Sequence, residues 1–296
     1  MKKVIRRLTI FLILVVIIGF IGLNNIAPYA IVQPYRASEA TVPEQLGLEQ
    51  EPLNLQTNDS IPLAGYWIKS QQDSAKGILI LVHGIGGCKE HFLHLAKELS
   101  QQGIESIVFD GRAHGASGGQ YCTYGFYEKE DIQQIVDKIK AQAPSLKIGI
   151  WGNSLGGAIA IQALELDPRI EFGLIESTFT DLSQIVLDYK KRLLKGFGIQ
   201  ALSNFALKRA GEIAQFDPQQ VKPIASVKNI EQPVFLAHGD ADQNIKVAYG
   251  KQLFQALKSQ DKELVIVKGA GHFSLYQVGG QKYKDKIMRF IHRQLE

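Results

Sequence analysis

Three kinds of residue make a hydrolytic site when they meet: a serine on a sharp turn, a histidine to take its proton, and a carboxylate to hold that histidine. The stretch GIWGNSLGG at 149–157 sets Ser154 between two glycines, directly after a short apolar run. A serine hydroxyl is a weak nucleophile alone, so it requires an adjacent base and a prepared site for the developing oxyanion. Around it, LKIGIWGNSLGGAIAIQAL reads as strand, turn and helix, the context that a G-x-S-x-G pattern demands. Gly152 and Gly156 leave room where backbones pass closely, and Gly157 lets the helix approach the sheet. Ser154 then opens a helix, whose unpaired amides favour negative charge. The backbone N–H of Leu155 is one expected oxyanion donor. A glycine-rich loop, His83 to Gly87 in LILVHGIGGCKEH, supplies a second in the N–H of Ile85, with His83 bracing the loop.

The base and its partner are expected late in the chain, in the order serine, acid, histidine. ELVIVKGAGHFSL places His272 in a loop after a strand, and VFLAHGDADQN places Asp240 and Asp242 after another. Strand ends of this kind carry the ligand sites of open α/β sheets. His272 would take the Ser154 proton and later protonate the leaving group, while the aspartate fixes the imidazole tautomer. Asp242 is preferred over Asp240, which follows its glycine immediately and reads as a turn former. His238 is a rival histidine, but it precedes the acid. His91 and His94 lie three apart on a helix without an H-E-x-x-H pattern or a cysteine ligand set, so no metal is expected. Neither GNSLGG nor GIGGCKE has a nucleotide-binding spacing, and no cofactor is expected.

Elements must bring these residues together. From Lys76 onward, buried strands such as GILILV and IESIVFD alternate with helices of ten to fifteen residues, the pattern of a mostly parallel sheet covered on both faces. LNLQT and IPLAGYWI flank Asn58-Asp59 as a hairpin. Between 178 and 222 the strands stop and apolar-plus-basic helical segments take over, an insertion that carries seven basic and four acidic residues. One α/β domain over 51–296 with a helical cap at 178–222 is the economical reading.

The first thirty residues are of another kind. A basic flank at 1–7 with four positive charges precedes Leu8 to Leu23, sixteen residues without a charge. Extended to Ala27, this run approaches the ~20 residues that cross a bilayer. Residues 8–27 are therefore expected as an uncleaved transmembrane anchor, with the N-terminus cytoplasmic and the remainder extracytoplasmic. A cleaved signal peptide is the rival, for which NNIAPYA offers a poor cleavage site. Residues 28–50, with three prolines, read as a spacer. The net charge of +4 resides entirely in the flank, leaving 29 basic and 29 acidic side chains beyond it, so nucleic acid is not an expected partner. Cys88 and Cys122, the two cysteines, are expected as free thiols rather than a bridge.

The motifs VHGIGG at 82–87, FDGRAHGASGG at 109–119, GNSLGG at 152–157, HGDAD at 238–242 and GAGH at 269–272 together resemble the α/β-hydrolase superfamily. More narrowly, the chain resembles the monoglyceride-lipase/serine-aminopeptidase-type hydrolases and the membrane-anchored Bem46-like group, over residues 53–295. The resemblance implies an eight-stranded α/β-hydrolase fold, a triad of Ser154, Asp242 and His272, and an oxyanion hole from Ile85 and Leu155. It also implies hydrolysis of carboxylic esters through an acyl-enzyme, with thioesters and amides open to the same machinery. DGRAHG carries Ala113 where the family usually has glycine, a departure in a structural stretch. Asn153, variable among relatives, is expected to bear on the pocket. The basic cap, with Lys190, Lys191, Arg192 and Lys195 beside Leu193, Leu194 and Phe197, suits an anionic lipid surface and a lipid-derived ester, or else a solvated helix with a core-facing stripe. A binding module would be favoured by loss of a triad residue, and an epoxide or haloalkane hydrolase by a carboxylate in place of Ser154. A peptidase would require a site for a charged terminus.

Overall fold

Six consecutive residues of Gly77–Val82 are buried, which only a strand covered on both faces permits. The computed structural model, which describes residues 1–296, places this strand, β5, near the middle of an eight-stranded sheet. The strands are β1 (Gln50–Pro52), β4 (Gly65–Ile68), β5, β6 (Ile104–Phe109), β7 (Ile148–Asn153), β8 (Ile170–Glu176), β9 (Val234–Gly239) and β10 (Lys262–Val267), in the spatial order β1-β4-β6-β5-β7-β8-β9-β10. β1 and β4 are antiparallel at one edge, and the other six run parallel. β2 (Leu55–Gln56) and β3 (Pro62–Leu63) form a separate small hairpin around the expected turn.

Alternation along β5 divides the core into two layers. Ile78, Ile80 and Val82 point to one face, covered by α4 (Glu128–Gln142), α5 (Leu155–Leu166) and α9 (Val247–Ala256). Leu79 and Leu81 point to the other, beneath α3 (Leu93–Gln101) and α10 (Leu275–Leu295), the latter interrupted at Gly280. This is the α/β-hydrolase fold. Its helical cap lies between β8 and β9, built from α6 (Leu182–Leu193) and α7 (Gln200–Ala214), with the short α8 (Pro223–Ser226) leading back to the sheet. Asp181 caps α6 by accepting the Gln184 N–H. Cys88 and Cys122 are both buried and unbridged.

An apolar helix, α1 (Lys2–Asn25), precedes all of this and buries none of its residues. The helical stretch Lys2–Val32 that it begins is long and apolar enough to cross a membrane, with a mean hydropathy of 2.6 over an 18-residue window. Pro28 cannot donate a helical hydrogen bond, and the helix breaks at Ile26 before α2 (Ala27–Val32) begins. The stretch 28–50, expected as a spacer, is instead packed onto the domain over its first residues. Pro28 and Val32 are buried, Tyr124 donates its hydroxyl to the Ile31 carbonyl at 2.6 Å, and the Cys122 N–H reaches Val32 at 2.8 Å. Arg36 then donates to the carbonyls of His114, Gly115, Ser117 and Gly119 at 2.6–3.2 Å.

Candidate active site

β7 and α5 meet at Ser154, whose backbone stands at φ 54° and ψ −118°. Such a conformation is strained for a residue with a side chain. It is held from several sides: the Ser154 N–H donates to Glu176 at 2.9 Å, and Thr178 Oγ1 donates to the Ser154 carbonyl at 2.7 Å. A Cβ on Gly152 would collide with the Gly156 carbonyl, and one on Gly156 with the Val82 carbonyl, so both positions require glycine for close approach. The turn thrusts the Ser154 side chain out at the carboxyl end of the sheet.

His272 and Asp242 arrive there from loops after β10 and β9. His272 Nε2 lies 3.0 Å from Ser154 Oγ, and Nδ1 lies 2.7 Å from Asp242 Oδ2. An ionised carboxylate only accepts, so the proton sits on Nδ1 and the Nε2 lone pair faces the serine hydroxyl. Asp242 Oδ1 accepts the N–H groups of Asn244 and Ile245 at 2.8 and 2.9 Å. Burial pushes the Asp242 carboxyl up, but hydrogen bonds from His238, His272 and Ile245 outweigh it and hold the group well below the usual carboxylate range. His238 is the fourth member of this cluster, its Nε2 at 2.9 Å from the Ile245 carbonyl and 3.4 Å from Asp242 Oδ2. It approaches the acid rather than the serine. Asp240 turns away, accepting the Gly269 N–H at 2.6 Å.

The N–H groups of Ile85 and Leu155 donate to no protein acceptor. His83 braces the loop that carries Ile85: its Nε2 accepts from Gly111 N–H at 3.0 Å while Nδ1 donates to the Gly84 carbonyl at 2.8 Å. Both contacts are satisfied by the neutral ring, and burial, with His114 beside it, lowers the His83 pKa to about 4.

Two cavities flank this centre. One, of about 410 Å³, reaches Ser154 beneath the cap and is lined almost wholly by apolar side chains, among them Ile85, Leu155, Phe179, Val186 and Leu194. The other, of about 330 Å³, lies on the opposite side of His272 and is bordered by Asn153, Glu176, Ser177 and Tyr276. Asn153, expected to bear on the substrate pocket, borders this second, more polar space together with Trp151, two residues earlier on the same face of β7. Two contributors had no signal in the local sequence. Glu176, buried at the end of β8, receives the Tyr283 hydroxyl, and burial raises its pKa. On the cap, Asp188 binds Lys246 Nζ at 2.9 Å and the Tyr249 hydroxyl, tying α6 to the segment that follows Asp242.

The family model described as serine aminopeptidase, S33 matches residues 73–225. The Bacillus subtilis protein YqkD is 28% identical over 206 residues, which cover 68% of this chain and 65% of that protein, so the chain spans about two thirds of this relative. Human monoglyceride lipase is 24% identical over 275 residues, covering 81% of this chain and 88% of the lipase. Among solved structures, an esterase of Pyrococcus furiosus superposes with a TM-score of 0.75 at 26% identity, covering 90% of this chain and 99% of the esterase. Fold, matched segment and relatives agree: the chain belongs to the serine aminopeptidase, S33 family, and is a serine-hydrolase-type enzyme of the α/β-hydrolase class.

Proposed function

We propose that this enzyme cleaves carboxylic esters with apolar acyl chains, through an acyl-enzyme on Ser154. His272 acts as general base in acylation and returns the proton to the leaving alkoxide. Asp242 keeps its tautomer and steadies the imidazolium. The amides of Ile85 and Leu155, unpartnered at rest, receive the oxyanion. Water then attacks the ester carbon with His272 as base again, and the acid departs.

The observation that carries the acyl specificity is the cavity beside Ser154. Among its lining residues only Lys190 is charged, and none is acidic. A peptidase that selects a free α-amino group requires a carboxylate to receive it, so the lining favours esters over aminoacyl amides despite the family's designation. Similarity to a monoglyceride lipase supports a lipid-derived ester. The exposed apolar α1 supports residues 8–27 as a single membrane span behind the cytoplasmic flank 1–7, with 51–296 as the catalytic domain outside and the cap at 178–222. Leu193, Leu194 and Phe197 are exposed on that cap beside Lys190, Lys191, Arg192 and Lys195, a composition suited to an anionic membrane surface.

Full-length enzyme and Ser154→Ala, assayed against p-nitrophenyl esters from acetyl to palmitoyl, monoacylglycerol and aminoacyl amides, test this reading. Ester turnover by the wild type, with an optimum beyond short acyl chains and loss in Ser154→Ala, is the expected result. Folded wild type that neither turns over any ester nor reacts with a fluorophosphonate sinks it, and a preference for aminoacyl amides reassigns the reaction to a peptidase.

A further inference from the structure

The cavity that reaches Ser154 is not closed by the hydrolase domain and its cap alone. Leu23, at the end of α1, and Ala27, Ala30 and Ile31 of α2 line it too. We infer that the end of the membrane helix and the short helix after it form a wall of the acyl site, and that a lipid acyl chain enters along this wall directly from the bilayer. The inference rests on the ester-hydrolase reading above and adds to it both the route and four residues that shape specificity.

The wall is anchored rather than adventitious. Val32 is fully buried and its carbonyl accepts the Cys122 N–H, while Tyr124, itself a lining residue of the cavity, donates its hydroxyl to the Ile31 carbonyl. Arg36 fastens the following residues to four carbonyls of the domain. On the other side, the rings of Phe20 and Phe205 meet with centroids 6.2 Å apart, joining α1 to the cap helix α7. Phe20 lies within the uncharged run from Leu8 to Leu23, so a contact there brings the cap to the edge of the hydrocarbon. The cap tip has the composition of a membrane-surface segment: Leu193 is 77% and Phe197 69% exposed, with basic residues beside them in the sequence. A tethered domain held away from the membrane would need to pass an acyl chain through water, the step that the hydrophobic effect most opposes. Here the same helix that meets lipid on its outer surface meets the cavity at its end.

Ala27 and Ala30 contribute only methyl groups to this wall, which makes them the places where added bulk should shorten the site. The experiment uses full-length enzyme in vesicles of phosphatidylcholine and phosphatidylglycerol. A palmitoyl-length fluorophosphonate with a diazirine at its chain end is attached to Ser154 and photolysed. Cross-links recovered on the tryptic peptide 8–36 are expected; cross-links confined to the cap or the body of the domain overturn the inference. In parallel, Ala27→Trp and Ala30→Trp should each lower the ratio of palmitoyl to acetyl ester turnover tenfold or more, whereas Val16→Trp, on the lipid-facing part of α1, should not change it. An unchanged ratio in both alanine variants also overturns it. Labelling by a short fluorophosphonate separates the two levels: wild type that labels but gives no cross-link to 8–36 overturns the wall alone, while folded wild type that does not label overturns the ester-hydrolase reading and the wall with it.

Discussion

Asp240 and Asp242 follow the same strand two residues apart and have different partners, one the Gly269 amide and the other His272. Asp242→Asn presents an amide to Nδ1 and favours the wrong tautomer, so kcat for ester hydrolysis should fall about 10³–10⁴-fold. Asp240→Asn keeps an acceptor for the turn and should stay within about threefold of wild type, since its contact is structural. Comparable losses in the two variants, measured side by side, would reverse the assignment of the acid. His83 allows a test that needs no substrate. Burial, reinforced by His114, lowers its pKa from 6.5 to about 4. The unfolded chain therefore binds a proton that the folded one refuses between these values, and the stabilisation is complete above pH 6.5 and lost as pH falls toward 4. The full shift corresponds to about 3 kcal/mol. His83→Gln retains a donor and an acceptor without the titration. Urea midpoints at pH 7 and pH 4.5 should thus fall further for wild type than for the variant, and equal falls would remove His83 from the acid response.

At the scale of elements, the crossing of β5, β7 and α5 decides whether Ser154 is held at all. A methyl group on Gly156 meets the Val82 carbonyl, backbone that cannot swing aside, so Gly156→Ala must separate α5 from β5. Overpacking of this kind costs about 1–3 kcal/mol, and the displaced Leu155 amide should also slow fluorophosphonate labelling of the protein that remains folded at 25 °C. A variant with wild-type melting temperature and labelling rate would contradict the geometry. This crossing was legible in GIWGNSLGG because a turn with glycines on both sides is a local matter, written within nine residues. The fully buried GILILV was legible for a similar reason, as apolar runs bounded by turns report strands covered on both faces. Residues 28–36 were not legible. Their docking is made by the carbonyls of Ile31 and Val32 and by an arginine that meets four more carbonyls, and a carbonyl leaves no mark of residue type in the sequence. The surroundings of Asn153 were hidden too: alternation puts it on the Trp151 face of β7, but the cavity it meets there is bordered by His94 of α3 and Tyr276 of α10, which are far away in the sequence.

The whole molecule behaves as a domain whose N-terminal segment is part of its body, and truncation measures how much. A chain starting at Ala27 discards α1 but keeps α2, its buried Val32 and the two backbone acceptors at Ile31 and Val32. A chain starting at Gln33 discards them all, although the proline-rich sequence would make it the natural choice for a soluble form. Burial of Val32 contributes about 1.5–3 kcal/mol. The two hydrogen bonds add about 1 kcal/mol each, and removal of Val32 leaves the Cys122 N–H without its partner. The shorter chain should therefore be less stable by about 3–5 kcal/mol, which for a domain of this size lowers Tm by roughly 10 °C. Differential scanning of 27–296 and 33–296 under the same detergent-free conditions is the measurement. Equal melting temperatures would mean that residues 27–32 are a passive link, and the buried face of α2 would then have no energetic part in the fold.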